Sequence, residues 1–215
     1  MKARRKPKRR YDSNRRQAQA RDTRRQVVEA ARDLFFERGY AGTTIDAIAK
    51  KAGVSNQTIY AIFGNKLKIL SFLMDISVGG DDQPMRLLER PEPQAVLHST
   101  DQRQQLRMFS QGIAEILGRA SPLFEIMRSA AKTEPKIANL LRHLLDERLQ
   151  NMAIFVEHLA ANGPLREGLD AAQASEIVWT VASPEVYRLL TLDRGWSGEV
   201  YAIWLADTLI TLLLR

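Results

Sequence analysis

The chain predicts an all-α protein, with an N-terminal three-helix domain that holds a helix-turn-helix and a larger helical bundle behind it. Three observations predict this. Apolar residues recur at three- and four-residue spacing along almost the whole chain. No alternating strand pattern or hairpin turn appears. The stretch Thr43 to Phe63, TTIDAIAKKAGVSNQTIYAIF, reads as two short helices joined by a tight turn.

The elements follow in order. Residues 1–22 form a basic arm. Residues 1–25 hold twelve Lys/Arg and two Asp, a net of +10; the remaining 190 hold 20 basic and 23 acidic groups, a net of −3. The run of Lys2, Arg4, Arg5, Lys6, Lys8, Arg9, Arg10, Arg15 and Arg16 has no apolar periodicity, which predicts disorder. Its place before the helical hairpin suits Arg9, Arg10, Arg15 and Arg16 to phosphate or minor-groove contacts. A solvated tail is the plain alternative.

A helix is expected from Thr23 to Arg38, with Val27, Ala30, Ala31, Leu34 and Phe35 as its stripe and Gly39 as its end. In the hairpin, Ile45, Ile48 and Ala49 share a face, and Thr43 or Thr44 opens the first helix. Gly53 suits the left-handed position after that helix, because it has no Cβ to clash. Val54 can plug the turn, and Ser55 caps the second helix. Ile59, Ile62 and Phe63 face back, so Asn56, Gln57, Thr58, Tyr60 and Ala61 face outward. None of these is acidic. Asn and Gln can pair with adenine edges, Thr can touch a thymine methyl, and Tyr can donate to phosphate. Two ordinary core helices could share the hairpin pattern; the small residues at the crossing and the non-acidic second helix favour a DNA reader.

A further helix begins at Gly64–Asn65–Lys66, with Leu67, Leu70, Leu73, Met74 and Ser77 at helical spacing. Its exposed N–H groups and the Lys66 charge could hold a phosphate. Gly79 to Thr100 holds three prolines and two glycines, which predicts a long connection with at most a short helix at Met85–Glu89. Asp101 can cap a helix to about Ala120, with Leu106, Phe109, Ile113, Ile116 and Leu117 inward. Ser121–Pro122 reads as the start of a separate short helix ending near Ala131. Glu134–Pro135 starts another, striped by Ile137, Leu140, Leu141, Leu144, Leu145, Leu149, Met152, Val156 and Leu159. Asp170 and Gln173 open the next, which Pro184 interrupts or kinks. The last helix runs from about Ser197 to the C-terminus.

Composition narrows the function classes. The chain has no cysteine, so disulfides, zinc fingers and thiol catalysis are excluded. That fits a reducing cytoplasm, the expected location. No apolar run approaches the roughly 20 residues of a membrane span. His98, His143 and His158 show no metal spacing, and no Gly-rich phosphate loop is present, so neither an enzyme nor a cofactor is expected.

The order AARDLFFERGYAGTTIDAIAKKAGVSNQTIYAIFGNKLKIL, with WTVASPEVYRLL and RGWSGEVYAIWLADTL near the end, resembles the TetR (tetracycline-repressor-like) family of bacterial transcriptional regulators. The resemblance implies three N-terminal helices, a linking fourth helix and a helical effector domain. It also implies a dimer that binds a palindromic operator and is released by a small ligand. On matching positions it implies DNA contacts at Asn56, Gln57, Thr58 and Tyr60, and phosphate contacts at Thr44 and Lys66. Ser55 belongs to the same surface. Ile62 stands where the family often has His or Tyr, and Leu67 where an acidic residue is usual.

The domains expected are therefore the arm (1–22), the helix-turn-helix domain (23–66), and a ligand-binding and dimerisation domain (67–215). Candidates for an effector pocket are Met108, Phe109, Ile113, Phe124, Met127, Met152, Phe155 and Trp179, since aromatic and methionine side chains can line an apolar pocket or fill a core. An apolar or amphipathic effector is expected. The last two helices are apolar on two sides, which predicts a homodimer interface through Ile177, Val181, Tyr187, Tyr201, Trp204, Leu205 and Leu209. The partners expected are double-stranded DNA, the effector and a second copy, with no membrane. A nonspecific DNA-binding architectural protein is the rival reading, on the strength of the arm.

Overall fold

The structure is a computed structural model that describes residues 11–214, with side chains from residue 18 onward. Every regular element among the described residues is helical. The chain divides into two compact units, Met1–Leu70 and Ser71–Arg215.

In the first unit α1 spans Tyr11–Arg38, α2 Ile45–Ala52 and α3 Asn56–Phe63. The fourth helix, α4, spans Lys66–Gly79 and so crosses the division. The helix α1 starts at Tyr11 rather than Thr23, so residues 11–22 are helical where the charge pattern predicts disorder. Arg, Gln and Ala are good helix formers; a missing apolar stripe argues against packing, not against helix. Arg9 and Arg10 lie outside the described residues, and Arg15 and Arg16 lie on the α1 backbone.

Local chemistry explains each boundary. Gly39 ends α1 at φ 68° and donates its N–H to Phe35. Thr43 is buried, its hydroxyl 3.0 Å from the Leu34 carbonyl and 2.8 Å from that of Gly39. That leaves Thr44 as the cap of α2, accepting from the Ala47 N–H at 3.1 Å. Gly53 takes φ 68° after α2, and Ser55 accepts from Thr58 N–H to start α3. The core of this unit includes Val27, Ala31, Leu34, Phe35, Ile48, Ile59 and Phe63. Fully burying Ile48 and Ile59 contributes about 1.5–3 kcal/mol each.

In the second unit a 3₁₀ turn, Leu87–Glu89, precedes α5, Pro91–His98. The fold then continues through α6 (Gln102–Ala131), α7 (Pro135–Ala161), α8 (Ala171–Val181) and α9 (Pro184–Arg188). A π turn, Leu189–Asp193, leads to α10, Gly198–Leu213. Leu106, Leu117, Val156, Leu159, Val178, Tyr201, Leu205 and Leu209 are among its core residues.

Two expectations change here. The connection carries α5 in spite of its prolines; Pro91 and Pro93 sit in the first turn, where a missing N–H costs nothing. Ser121 starts no new helix, because α6 runs through Pro122 unbroken for 30 residues. The residue four back is Gly118, which has no side chain, and the Tyr187 hydroxyl would lie 3.2 Å from a methyl placed there. At Pro184 the helix is interrupted, one of the two outcomes expected: α8 ends at Val181 and Pro184 opens α9 at its first position, with Ser183 as the cap. The reciprocal capping box of Asp170 and Gln173 forms as expected.

Arg148 on α7 closes the other end of α8. Its guanidinium donates to the carbonyls of Trp179 and Ala182, and lies 5.1 Å from the Trp179 ring centre. A cation there satisfies carbonyls that lack helical partners. Burial lowers the Arg148 pKa to about 10; the carbonyls and the ring are what keep a cation there.

Candidate DNA-reading face and ligand cavity

The helix α3 is fixed by Ile59 and Phe63, both buried, so the rest of its circumference is available. Gln57 and Ala61 are exposed, and Tyr60 is 54% exposed. Asn56 and Thr58 are half-buried. The Thr58 hydroxyl lies 2.9 Å from that of Ser55, and Asn56 Nδ2 donates to Asp46 Oδ1 at 3.4 Å. The outward set expected from the sequence therefore divides: Gln57 and Tyr60 extend outward, while Ser55, Asn56 and Thr58 also make local contacts. No acidic residue stands in the first turn of α3. Thr44 is exposed, and as a hydroxyl it can still donate while its oxygen caps α2.

Lys66 is turned inward. Its Nζ donates to the Tyr40 and Thr43 carbonyls, both at 2.7 Å, and stands 4.0 Å from the Tyr40 ring centre. Asn65 caps α4 by accepting from Lys68 N–H at 2.9 Å, which uses one of the N–H groups at that helix start.

In the second unit the end of α4, the connection with α5, and parts of α6 and α7 surround a cavity of about 1050 Å³. Met108, Phe109, Ile113, Met152 and Phe155 line it. The Phe109 and Phe155 rings stack with centroids 4.0 Å apart. Phe124, Met127 and Trp179 do not line it. Met127 is 14 residues beyond Ile113, about 20 Å further along α6. The Trp179 indole instead donates to the Leu145 carbonyl at 3.3 Å.

Several lining groups were not legible as such: Val78 and Gly79 of α4, Arg90 and Val96 of the connection, and Gly112 and Arg119 of α6. The useful signal for the connection is Pro91 followed by an apolar Val96–Leu97 pair, which marks a short proline-started helix. Arg90 is 8% exposed and holds Asp81 with both nitrogens, Nη1 at 3.1 Å and Nη2 at 2.8 Å. This hydrogen bonding, helped by the Gln83 N–H, holds the Asp81 carboxyl below its ordinary pKa. A methyl at Gly79 would sit 2.6 Å from Arg90 Nη2, so Arg90 would have to shift to admit a side chain there. Arg119 Nε donates to the Ser77 carbonyl at 2.9 Å, in the last turns of the same helix.

The dimer candidates also divide. Tyr201, Leu205 and Leu209 are fully buried within this chain, so they cannot meet a second copy. Ile177, Val181, Tyr187 and Trp204 are half-buried. The outward apolar residues are Ile203, Val200, Leu192 and Leu189, at 65%, 47%, 68% and 53% exposure.

Comparison with known proteins agrees with this geometry. Residues 27–71 match the family model for bacterial regulatory proteins of the tetR family. The chain is 29% identical over 172 residues to the uncharacterized HTH-type transcriptional regulator YdeS of Bacillus subtilis (strain 168), across 78% of each chain. It resembles the crystal structure of the TetR-family transcriptional regulator PfmR from Thermus thermophilus at TM-score 0.65 and 26% identity, over 89% of this chain and 100% of that one. The regulator FadR from Bacillus subtilis, solved in complex with stearoyl-CoA, shares the fold at TM-score 0.68 and 20% identity, over 86% and 97%. Residues 27–71 thus carry a tetR-type helix-turn-helix, a helical body follows it in the chain, and the chain is similar to DNA-binding transcriptional regulators of that family.

Proposed function

We propose that the protein is a repressor that binds a palindromic operator as a homodimer and leaves it when a small amphipathic effector fills the cavity. The observation that carries this reading is the pairing of two features: an exposed, non-acidic α3 face at Gln57 and Tyr60, and a cavity of about 1050 Å³ lined partly by the end of α4. The helix α4 carries Lys66 at one end and Gly79 at the other, so a shift of its last turn is transmitted along one continuous helix. A ligand acts by preferring one arrangement over another. A preference of about 1–3 kcal/mol changes operator affinity 5- to 150-fold.

A base-edge contact is assigned to Gln57 and a phosphate contact to Tyr60, with Asn56, Thr58, Ser55 and Thr44 on the same face. Lys66 acts by holding the turn before α2. The apolar walls, and an acyl thioester bound to FadR of the same fold, support an effector with an acyl chain. In a twofold dimer two α3 helices would stand roughly 34–36 Å apart, one turn of DNA.

The test is selection of bound duplexes from a random pool at fixed salt. An inverted repeat with half-sites one helical turn apart is expected. Equal recovery of scrambled duplexes would instead favour the architectural protein that the basic arm also suits.

A further inference from the structure

Most glycines of the second unit have a visible reason. A methyl at Gly79 would meet Arg90 at 2.6 Å, one at Gly163 the Gln102 amide at 2.7 Å, and one at Gly118 the Tyr187 hydroxyl at 3.2 Å. Gly80, Gly168 and Gly195 take positive φ, which a side chain would strain. Gly112 has neither reason. It lies inside α6 without a positive φ, and nothing stands within 4 Å of the place a Cβ would occupy. Glycine inside a helix is less stable than alanine. Yet Gly112 lines the cavity.

We infer that Gly112 is kept bare so that a linear acyl chain can lie across α6, with its anionic head at Arg119. This rests on the reading of the cavity as the effector site. Arg119 follows Gly112 by seven residues, so it shares that face about 10 Å along the axis. Its Nε is fixed on the Ser77 carbonyl at 2.9 Å, which aims the remaining guanidinium nitrogens without a carboxylate hydrogen bond. Arg90, the other cation at that end, is already matched by Asp81. Glu115, between Gly112 and Arg119, accepts from Gln111 Nε2 at 3.0 Å. On the other side of Gly112, the stacked Phe109 and Phe155 rings extend the apolar wall. The order along α6 is therefore cation, bare backbone, aromatic wall, which matches head, chain and chain end of an acyl amphiphile.

Full-length wild type, G112A, G112L and R119Q are titrated calorimetrically with palmitate, palmitoyl-coenzyme A and hexanoyl-coenzyme A. The two palmitoyl probes distinguish a free acid head from a thioester. Wild type is expected to bind at least one palmitoyl probe. In G112L that affinity falls about tenfold or more, because leucine overfills the crossing, while hexanoyl-coenzyme A is held as well as by wild type. R119Q weakens long and short chains by the same factor. G112A raises Tm by roughly 2–4 °C, the gain from replacing a helical glycine. A lower Tm in G112A would show that packing requires the glycine and overturn the inference, as would a folded G112L with unchanged palmitoyl affinity. Failure of wild type to bind any probe overturns both this inference and the acyl effector proposed above; binding that G112L leaves unmoved overturns this inference alone.

Discussion

Lys66 Nζ stands 4.0 Å from the Tyr40 ring centre and donates to the carbonyls of Tyr40 and Thr43. A cation on an aromatic face and two charge-assisted hydrogen bonds bind the first residue of α4 to the turn that precedes α2. The same turn is tied from below by the Thr43 hydroxyl on α1. Lys66→Met should therefore destabilise the first unit by about 2–4 kcal/mol. Hydrogen exchange over residues 27–70 is the measurement, since every tryptophan lies in the second unit. Unchanged protection would mean that Lys66 is no strut.

The recognition surface makes a contrasting prediction. Gln57 and Tyr60 are outside the core, so Gln57→Ala and Tyr60→Ala should leave folding intact. Each should weaken the selected operator by about 1–3 kcal/mol if it reads a base or phosphate. Ile59→Ala should instead lose stability, because its side chain is fully buried. Fluorescence anisotropy against operator and scrambled duplex separates these effects. Equal operator affinity in wild type and both surface variants would move the reading surface elsewhere.

If the arm contacts phosphates, it sets affinity rather than sequence preference. Residues 1–10 hold seven Lys/Arg. Removing them should weaken all duplexes alike and flatten the salt dependence, since each phosphate contact releases counterions with a slope of about −0.9 per charge. The slope of log affinity against log salt, with and without the segment, is the readout; identical slopes would remove the arm from the interface.

Many of the helix boundaries follow from side-chain chemistry that acts within four residues. Gly53, Ser55 and the Asp170–Gln173 box state their backbone roles locally, and the helices start and stop where they indicate. Longer-range outcomes are different. Pro122 carries the local mark of a helix start, but Gly118 and the packing of α6 keep the helix whole. Tyr201 and Ile203 are both apolar on a helix apolar on two sides; only the surrounding core decides that Tyr201 is buried and Ile203 exposed. Phe109 and Phe124 are the same residue on the same helix stripe, yet one lines the cavity and the other fills the core. A cavity is space left by several elements together, which a one-dimensional period does not encode.

The Arg90–Asp81 pair yields a pH prediction. Its carboxyl is held low in the folded chain, so the pair contributes stability above the ordinary carboxylate range and loses it as pH falls through the lowered value. Asp81→Asn should thus be less stable than wild type by a constant amount from pH 5 to 8. The gap should close only below about pH 4, where the unfolded carboxyl also protonates. Thermal melts of both proteins across pH 3 to 8 test this. A gap that changed between pH 5 and 8 would point to another titrating group.

The exposed apolar residues give the test of assembly. Val200 and Ile203 are three apart on α10, and Leu189 and Leu192 three apart in the π turn. Arg188 at the base of that turn is paired with Glu125 and Asp193, which places charge at the edge of the surface and leaves these side chains apolar. Covering Ile203 in a twofold dimer would bury it twice, about 3 kcal/mol or more in total, so Ile203→Glu should raise the dimer Kd by over a hundredfold. Leu192→Glu should act in the same direction. Leu205→Glu should unfold the second unit instead, because Leu205 is buried in the chain's own core. Sedimentation separates the cases: folded monomers for the two surface variants, and aggregated or unfolded protein for the third. A wild type that sediments as a monomer at micromolar concentration refutes the dimer. A dimer that survives both surface changes places its interface away from α10 and the π turn.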